Sequence, residues 1–424
     1  MEKMILDVHE KPSSILRWLV LSLQHVFAMF GATVLVPILT GLNVGVALVA
    51  SGIGTLIYIA CTKGKVPVYL GSSFAYIAAI IVAGSVNGFG SAYIGLIAVG
   101  LIYVVVSVII RYTGSNWIKF ILPPVVIGPV IIIIGLSLAG IAIGSAGLDG
   151  ASGWRIPVVA LVTFSTVVGI SIFARGFFKI VPFLIAILVG YVFSVVVGVV
   201  NLQEAFSGYS FLQFPEFTFI GTYALDFSAL VMFLPIAFVT IAEHIGDHTV
   251  LSEVTGKDFI KDPGLDKTLL GDGLATMVSA MLGGPANTTY GENTGVVAMT
   301  RVASVYVTGV AAVIAIVLGF FGYVQAFVNS IPWAVIGGMT IILYGLIASN
   351  GVKVLVKAKV DLSSIRNLII VSTILVIGLG GAAIPINDAV SLQGMSLAAV
   401  AGIILNLVLP DFSSKEKLAT ASSK

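Results

Sequence analysis

Three carboxylates, Glu243, Asp247 and Glu292, sit within or beside long apolar runs of the chain, where acids can bind a ligand N–H or carry a proton. Glu243 and Asp247 are four positions apart, so on a helix they share one face. Two neighbouring carboxylates in a low-dielectric setting resist ionising together, and such a pair can hold a proton and release it. A charge at the bilayer centre costs at least ~2.5–3.5 kcal/mol on insertion scales, so acids at that depth are expected to face the interior of a bundle and to work there. Glu292, between Gly291 and Asn293, falls at the expected start of a short helix. A carboxylate there can accept from a ligand N–H while free backbone N–H groups meet ligand carbonyls, an arrangement that suits a planar imide. Ser73 and Phe74 stand at the matching place earlier in the chain, where Phe74 would offer an opposing backbone N–H and a ring to pack on the ligand.

Other groups rank lower. His25, His244 and His248 could relay protons, but histidines with polar helix neighbours more often serve as buried hydrogen-bonding residues. Asp272, between Gly271 and Gly273, could pair with a neighbouring helix or help bind a cation. No metal-ligand spacing, phosphate-cradling loop or nucleophile elbow is present, so no metal, cofactor or enzymatic activity is expected. Cys61 is the single cysteine, which rules out an internal disulfide.

The elements that must position these residues are membrane helices. Of 424 residues, 58% are hydrophobic and 9% charged, far from the composition of soluble domains. Fourteen apolar runs recur between Trp18 and Leu409, many near the ~20 residues that cross a ~30 Å hydrocarbon layer. The run from Trp18 to Thr40 is too long for a signal-peptide core and reads as a retained first span. The stretch from Ser413 to Lys424 reads as a solvated tail with no soluble domain after it. With fourteen spans, Lys and Arg collect in alternate loops, and of the 21 basic residues only Arg155 falls on the opposite side. The positive-inside rule then puts both termini in the cytoplasm. Dispersed positive charge and a net +2 give no basic field for nucleic acid.

Two stretches 218 to 219 residues apart share a pattern: Gln24-His25 matches Glu243-His244, Gly52-Ile53-Gly54 matches Gly271-Asp272-Gly273, and Pro67 matches Pro285. Pro123 to Gly128 resembles Pro332 to Gly337 at an offset of 209. The expected fold is therefore an all-α polytopic membrane protein of fourteen segments in a 7+7 inverted repeat, since an odd number of spans flips the second half. Segments three and ten carry turn-prone and β-branched residues and read as short antiparallel strands leading into half-helices. Such backbone survives at membrane depth only where protein buries it or it lines a cavity. Both half-helices would aim their positive N-termini at one midplane site.

Glu292-Asn293-Thr294-Gly295 followed by Thr300-Arg301 resembles the signature of the nucleobase-ascorbate transporter family, also called nucleobase/cation symporters. Ser22-Leu23-Gln24-His25, Phe27 to Thr33, Tyr69 to Phe74, Ala242-Glu243-His244 and Thr289 to Asn293 are similar to the bacterial uracil permease branch. The resemblance covers nearly the whole chain. It implies proton-coupled uptake of uracil across the cytoplasmic membrane by elevator-like alternating access, with a purine or xanthine:cation symporter, or less so an anion exchanger of like architecture, as alternatives. It also implies a core domain (15–115 and 228–328), a gate domain (116–227 and 329–412) and, as is common in the family, a homodimer embedded in lipid. By the same resemblance Glu243 and Glu292 hold the base by their side chains, and Phe74 and Gly291 by their backbone. Ala32, Ser73, Tyr290 and Tyr344 line the pocket and Asn293 supports it; Glu243, Asp247 and Glu292, by the reading of the acids above, couple the proton. An acid at 292, where purine carriers often have Gln, favours uracil. One departure stands out: the uracil permease pattern has His four residues after the first ligand Glu, and here that position is Asp247, with His248 next. One residue turns a helix by ~100°, so His248 cannot take the same place.

Overall fold

The computed structural model describes residues 4–150, 152–387 and 390–410; the polar stretch from Ser413 to Lys424 lies outside the described residues. Helices dominate. Among the described residues seven are long and apolar enough to cross a membrane: α1 (Ile15–Thr40), α2 (Val44–Cys61), α4 (Phe89–Thr113), the run Pro124–Ser145 whose first part is α5 (Pro124–Leu136), α6 (Arg155–Phe173), α8 (Leu230–Thr255) and α12 (Trp333–Lys357). Shorter helices stand between them: α3 (Ile77–Asn87), α7 (Pro182–Val196), α9 (Leu265–Met281), α10 (Gly291–Thr300), α11 (Val305–Gly319), α13 (Ile365–Leu379) and α14 (Gly394–Val408). α9 and α10 are short of apolar length for a physical reason visible in their sequence: α9 carries Asp266, Lys267 and Asp272, and α10 opens on Glu292 and Asn293.

Local signals set several boundaries. Ser14 caps α1 by accepting from Arg17 N at 3.2 Å, and the helix ends on Gly41 at φ 78°, the left-handed C-terminal stop that glycine adopts without strain. Asn43 caps α2 through Val46 N at 3.0 Å, its side-chain oxygen satisfying an orphan helix donor. Gly256, at φ 74°, stops α8 just past its last turn.

Two interruptions matter most. Strand β1 (Leu70–Ser72) pairs antiparallel with β2 (Asn287–Thr289), with Gly71 opposite Thr288. Ser73 N donating to Ala286 O at 2.9 Å and Tyr290 N donating to Tyr69 O at 3.3 Å extend the crossing at both ends. Three-residue strands leave backbone groups to satisfy, and two threonines on neighbouring helices do so. Thr55 of α2 accepts from Leu70 N at 2.9 Å, its own proton directed to Ser51 O at 2.8 Å with Leu70 O farther off at 3.3 Å. Thr276 of α9 takes Asn287 N at 3.2 Å and donates to Asn287 O at 3.1 Å. In a lipid setting each unmet group would cost several kcal/mol, so these clamps are what allow extended chain inside the bundle.

Helices from the first and second parts of the chain interleave closely. At Gly100 of α4 and Gly273 of α9, a Cβ on the former would lie 2.5 Å from the other's carbonyl oxygen; at Gly351 of α12 one would lie 2.4 Å from Gly128 O of α5. Gly319 of α11 meets Gly45 of α2 in the same way, at 2.7 Å. Small residues at such crossings let backbones approach and gain packing that lipid cannot provide. A second antiparallel hairpin, β3 (Ala383–Asn387) with β4 (Val390–Gln393), precedes α14.

On one face the segment before α1 is tied down as extended chain. Ile5 N donates to Arg301 O at 2.8 Å, Ala303 N to Leu6 O at 2.9 Å and Val305 N to Val8 O at 3.0 Å. Asp7 pairs with Lys257 at 2.7 Å.

Candidate functional site

Helices α8 and α10, the turn Phe74–Tyr76 that leads into α3, and the β1–β2 crossing meet at one place. α10 starts here because Tyr290 is extended (φ −107°, ψ 118°) and Gly291 opens the first turn. Its positive end therefore carries Glu292, an acid placed where the helix dipole favours negative charge. α8 presents Glu243 and Asp247 to the same region. The three acids are half-buried and close enough that Glu243 feels the charge of Glu292, and Asp247 feels both. Among the described residues no other side chain hydrogen-bonds the carboxylates of Glu243 or Glu292; the Glu292 backbone N–H donates to its own carboxylate, and the remaining acceptor positions can meet a ligand. Asp247 differs: Thr289 at the end of β2 donates to its Oδ2 at 2.5 Å. The strand crossing thus holds one acid in place and leaves the other two available.

A cavity of about 120 Å³ opens beside Glu292, walled by Ala28, Gly31 and Ala32 of α1, Lys179 and Pro182 near the start of α7, and Met339 and Leu343 of α12. Its size is well below the ~300 Å³ at which drug-sized pockets begin and suits one small ring. Of the residues singled out from sequence, Ala32 and Glu292 line it directly. Phe74, half-buried, packs against both large apolar clusters of the molecule and so sits at their junction. Ser73 is buried at the strand end with its Oγ unpartnered among the described residues, as are Asn293 Oδ1 and Tyr344 OH. Buried polar atoms left without a partner are costly unless something meets them.

Tyr290 does not line this cavity. Its ring lies over Gly71, where a Cβ would come within 2.3 Å of it, and its hydroxyl donates to Ser72 O at 2.9 Å while accepting from Thr33 at 3.3 Å. The side chain is part of the strand crossing that sets where α10 begins. Asn293 reaches α1 instead, donating to His25 O at 3.1 Å with His25 Nδ1 at the same distance. Gly291 is exposed at the helix start, with no neighbour within 4 Å of where a Cβ would stand.

Behind the acids runs a second polar layer. His244 Nδ1 lies 2.7 Å from Asp272 Oδ2, both side chains fully buried. The His244 ring stacks on His248 at 4.0 Å, and His248 Nε2 meets Tyr58 OH at 2.5 Å. His248 therefore points toward α2 and away from Asp247. Asp272, whose role the sequence left open between helix pairing and cation binding, is paired with a neighbouring helix. Among the described residues no group of three or more His, Cys, Asp and Glu side chains is arranged to hold a metal ion. Thr289, Thr33 and Tyr58 were missed from sequence. Nothing in an apolar or β-branched run marks a hydroxyl as a partner of an acid on another helix.

Comparison with known proteins fits this arrangement. Residues 16–387 match the model of a permease family. The chain is 49% identical over 415 residues to the uracil permease of Bacillus caldolyticus, covering 97% of this chain and 96% of that one. It is 46% identical to the uracil permease of Bacillus subtilis, covering 100% and 99%. Among solved structures, the murine Solute Carrier 26 member A9 anion transporter in its inward-facing state superposes with a TM-score of 0.70 at 11% identity, covering 95% of this chain and 69% of that one, which is a likeness of fold. With its apolar helices, its buried acids and a family match along most of its length, this multi-pass membrane protein is a permease and not an enzyme, and it belongs to the nucleobase-ascorbate transporter family.

Proposed function

We propose that the chain imports uracil across the cytoplasmic membrane together with a proton. The observation that carries this is Glu292 at the start of the half-helix α10, lining a small-ring cavity, with Glu243 of α8 in electrostatic range of it. An imide offers N–H donors and carbonyl acceptors alternately around one flat edge. Carboxylates answer the donors, and the backbone N–H groups of Gly291 and Phe74 answer the carbonyls. Full-length relatives named uracil permease support the choice of base. Three acids in mutual electrostatic range support the proton, since removing one charge lowers the repulsion among the rest.

The 7+7 inverted repeat is part of this reading. Its support is the matched clamps: Thr55 holds β1 as Thr276 holds β2, and the two strands lie antiparallel as a two-fold axis in the membrane plane would place them. The pairing of α2 with α11 and of α4 with α9 is likewise what that axis would interchange. In this scheme residues 15–115 and 228–328 form the core that carries the base. Residues 116–227 and 329–412 form the gate against which it slides, both termini face the cytoplasm, and two copies associate. Fluxes in proteoliposomes test it. Labelled uracil should accumulate when the outside is acidic and collapse with the gradient, with unlabelled uracil competing better than xanthine. Uptake indifferent to the gradient would remove the symport; chloride or bicarbonate flux without base uptake would replace the substrate class.

A further inference from the structure

Lys179, in the turn Gly176–Ile180 ahead of α7, also lines the cavity beside Glu292. This turn packs against α10. Beneath it, Ala28 of α1, Val181 and Val296 of α10 form a small apolar cluster of their own, apart from the two large ones, joined by Phe177 and Leu184. Phe177 also meets Phe27 of α1 at 6.2 Å. The contact is thus narrow and apolar, and the cavity beside it is lined by both an acid, Glu292, and a base, Lys179. Lys179 is exposed, and among the described residues it forms no ion pair. The other charged or titratable groups around Glu292 carry no fixed positive charge: Glu243 and Asp247 on α8, Tyr290 just ahead of α10, Asp272 behind them, and His25 on α1 through Asn293.

We propose that Lys179 is the cation that meets Glu292 when the carrier opens to the cytoplasm, and that it stabilises the deprotonated site there so that the proton is released on that side. The inference rests on the transport reading above, in which α10 belongs to the moving core and α7 to the gate. After base and proton leave, Glu292 is left charged beside two other acids, a state the bundle disfavours. An ammonium on a long flexible stem can approach it across the cavity. Because that ammonium is carried by the gate, it is offered at one end of the stroke and withdrawn at the other. The bias is therefore directional: it favours release on the side where the basic loops collect, and it leaves loaded carriers unaffected.

The test separates net transport from exchange, since exchange cycles only loaded carriers. In proteoliposomes, Lys179→Met should lower proton-driven net uptake of labelled uracil about fivefold. That factor corresponds to about 1 kcal/mol, within the range for a partly solvated ion pair. Uracil–uracil counterflow should fall less than net uptake, and Lys179→Arg should restore net uptake. Unchanged net uptake in Lys179→Met, an equal fall in counterflow, or failure of arginine to restore it would overturn the proposal. If the unsubstituted protein moved no uracil, the reading beneath would fail instead, which the control distinguishes.

Discussion

Replacing Gly71 by alanine should damage the site without touching any group that contacts a ligand. Its Cβ would stand 2.3 Å from Tyr290 Cε2, 2.4 Å from Cζ and 2.8 Å from Thr33 Oγ1, and the ring cannot yield while its hydroxyl is held by Ser72 O. Overpacking of this kind costs ~1–3 kcal/mol, and breaking the tyrosine hydrogen bond adds ~1 kcal/mol. Together, about 2–4 kcal/mol disfavours the strand crossing by roughly 30- to 700-fold at 1.4 kcal/mol per tenfold. Because Tyr290 immediately precedes α10, its displacement moves the start of the helix that carries Glu292. Initial uptake of labelled uracil should fall at least about tenfold while the protein still reaches the membrane. Thermal unfolding in detergent should occur at lower temperature, and truncating the ring in Gly71→Ala/Tyr290→Ala should recover part of that stability. Unfolding temperature and uptake both unchanged in Gly71→Ala would refute the reasoning, as would a double variant less stable than either single one.

Further expectations are briefer. Glu292→Gln keeps the shape but loses a charged acceptor, worth ~1.5–3 kcal/mol in such bonds; uracil affinity measured by calorimetry should weaken about 10- to 150-fold, and unchanged affinity would place the base elsewhere. Thr289→Val removes the donor to Asp247 and should alter the pH dependence of uptake while leaving binding at one fixed pH within about threefold; an identical pH profile would argue against a coupling role for Asp247. Tyr58→Phe orphans His248 Nε2, a buried loss of ~1–3 kcal/mol, visible as a lower unfolding temperature with base affinity retained. Outside the membrane, the Lys257 ammonium holds the Asp7 carboxyl below its usual 3.8. A depressed carboxyl contributes stability above its unfolded value and loses it as pH falls below that. Hydrogen-exchange protection of residues 5–8, measured against the intrinsic rate at each pH, should thus hold above about pH 4 and drop as pH falls below the usual carboxyl range; protection that ignores this window would remove the tether.

Much of the class was readable from the residues, because lipid imposes a composition that few other environments demand. The acids stood out for the same reason: a charge in an apolar run needs an occasion, and Glu292 with its neighbours formed a motif dense enough to name the family. Pairings across the bundle were harder. Asp272 remained open between two roles because its partner depends on how α8 and α9 are rotated against each other, which no local spacing states. The hold of Thr289 on Asp247 and the turn of Tyr290 away from the cavity were hidden for a like reason, since each follows from the strand register. Lys179 lay unnoticed among basic loop residues. Only the packing of the turn before α7 on α10 brings it to the cavity that Glu292 lines.

The interleaving of helices at Gly45 with Gly319, Gly100 with Gly273 and Gly128 with Gly351 bears on how the molecule can be divided. Each of these glycine notches is filled by the opposite half, so a fragment ending in the connection between α7 and α8 would present several bare grooves and an unpaired strand. Such a fragment has no stable solitary form, yet its grooves are addressed to one partner alone. Two genes encoding the fragments, expressed together, should therefore yield a nicked but working carrier, and either gene expressed singly should yield protein that is degraded.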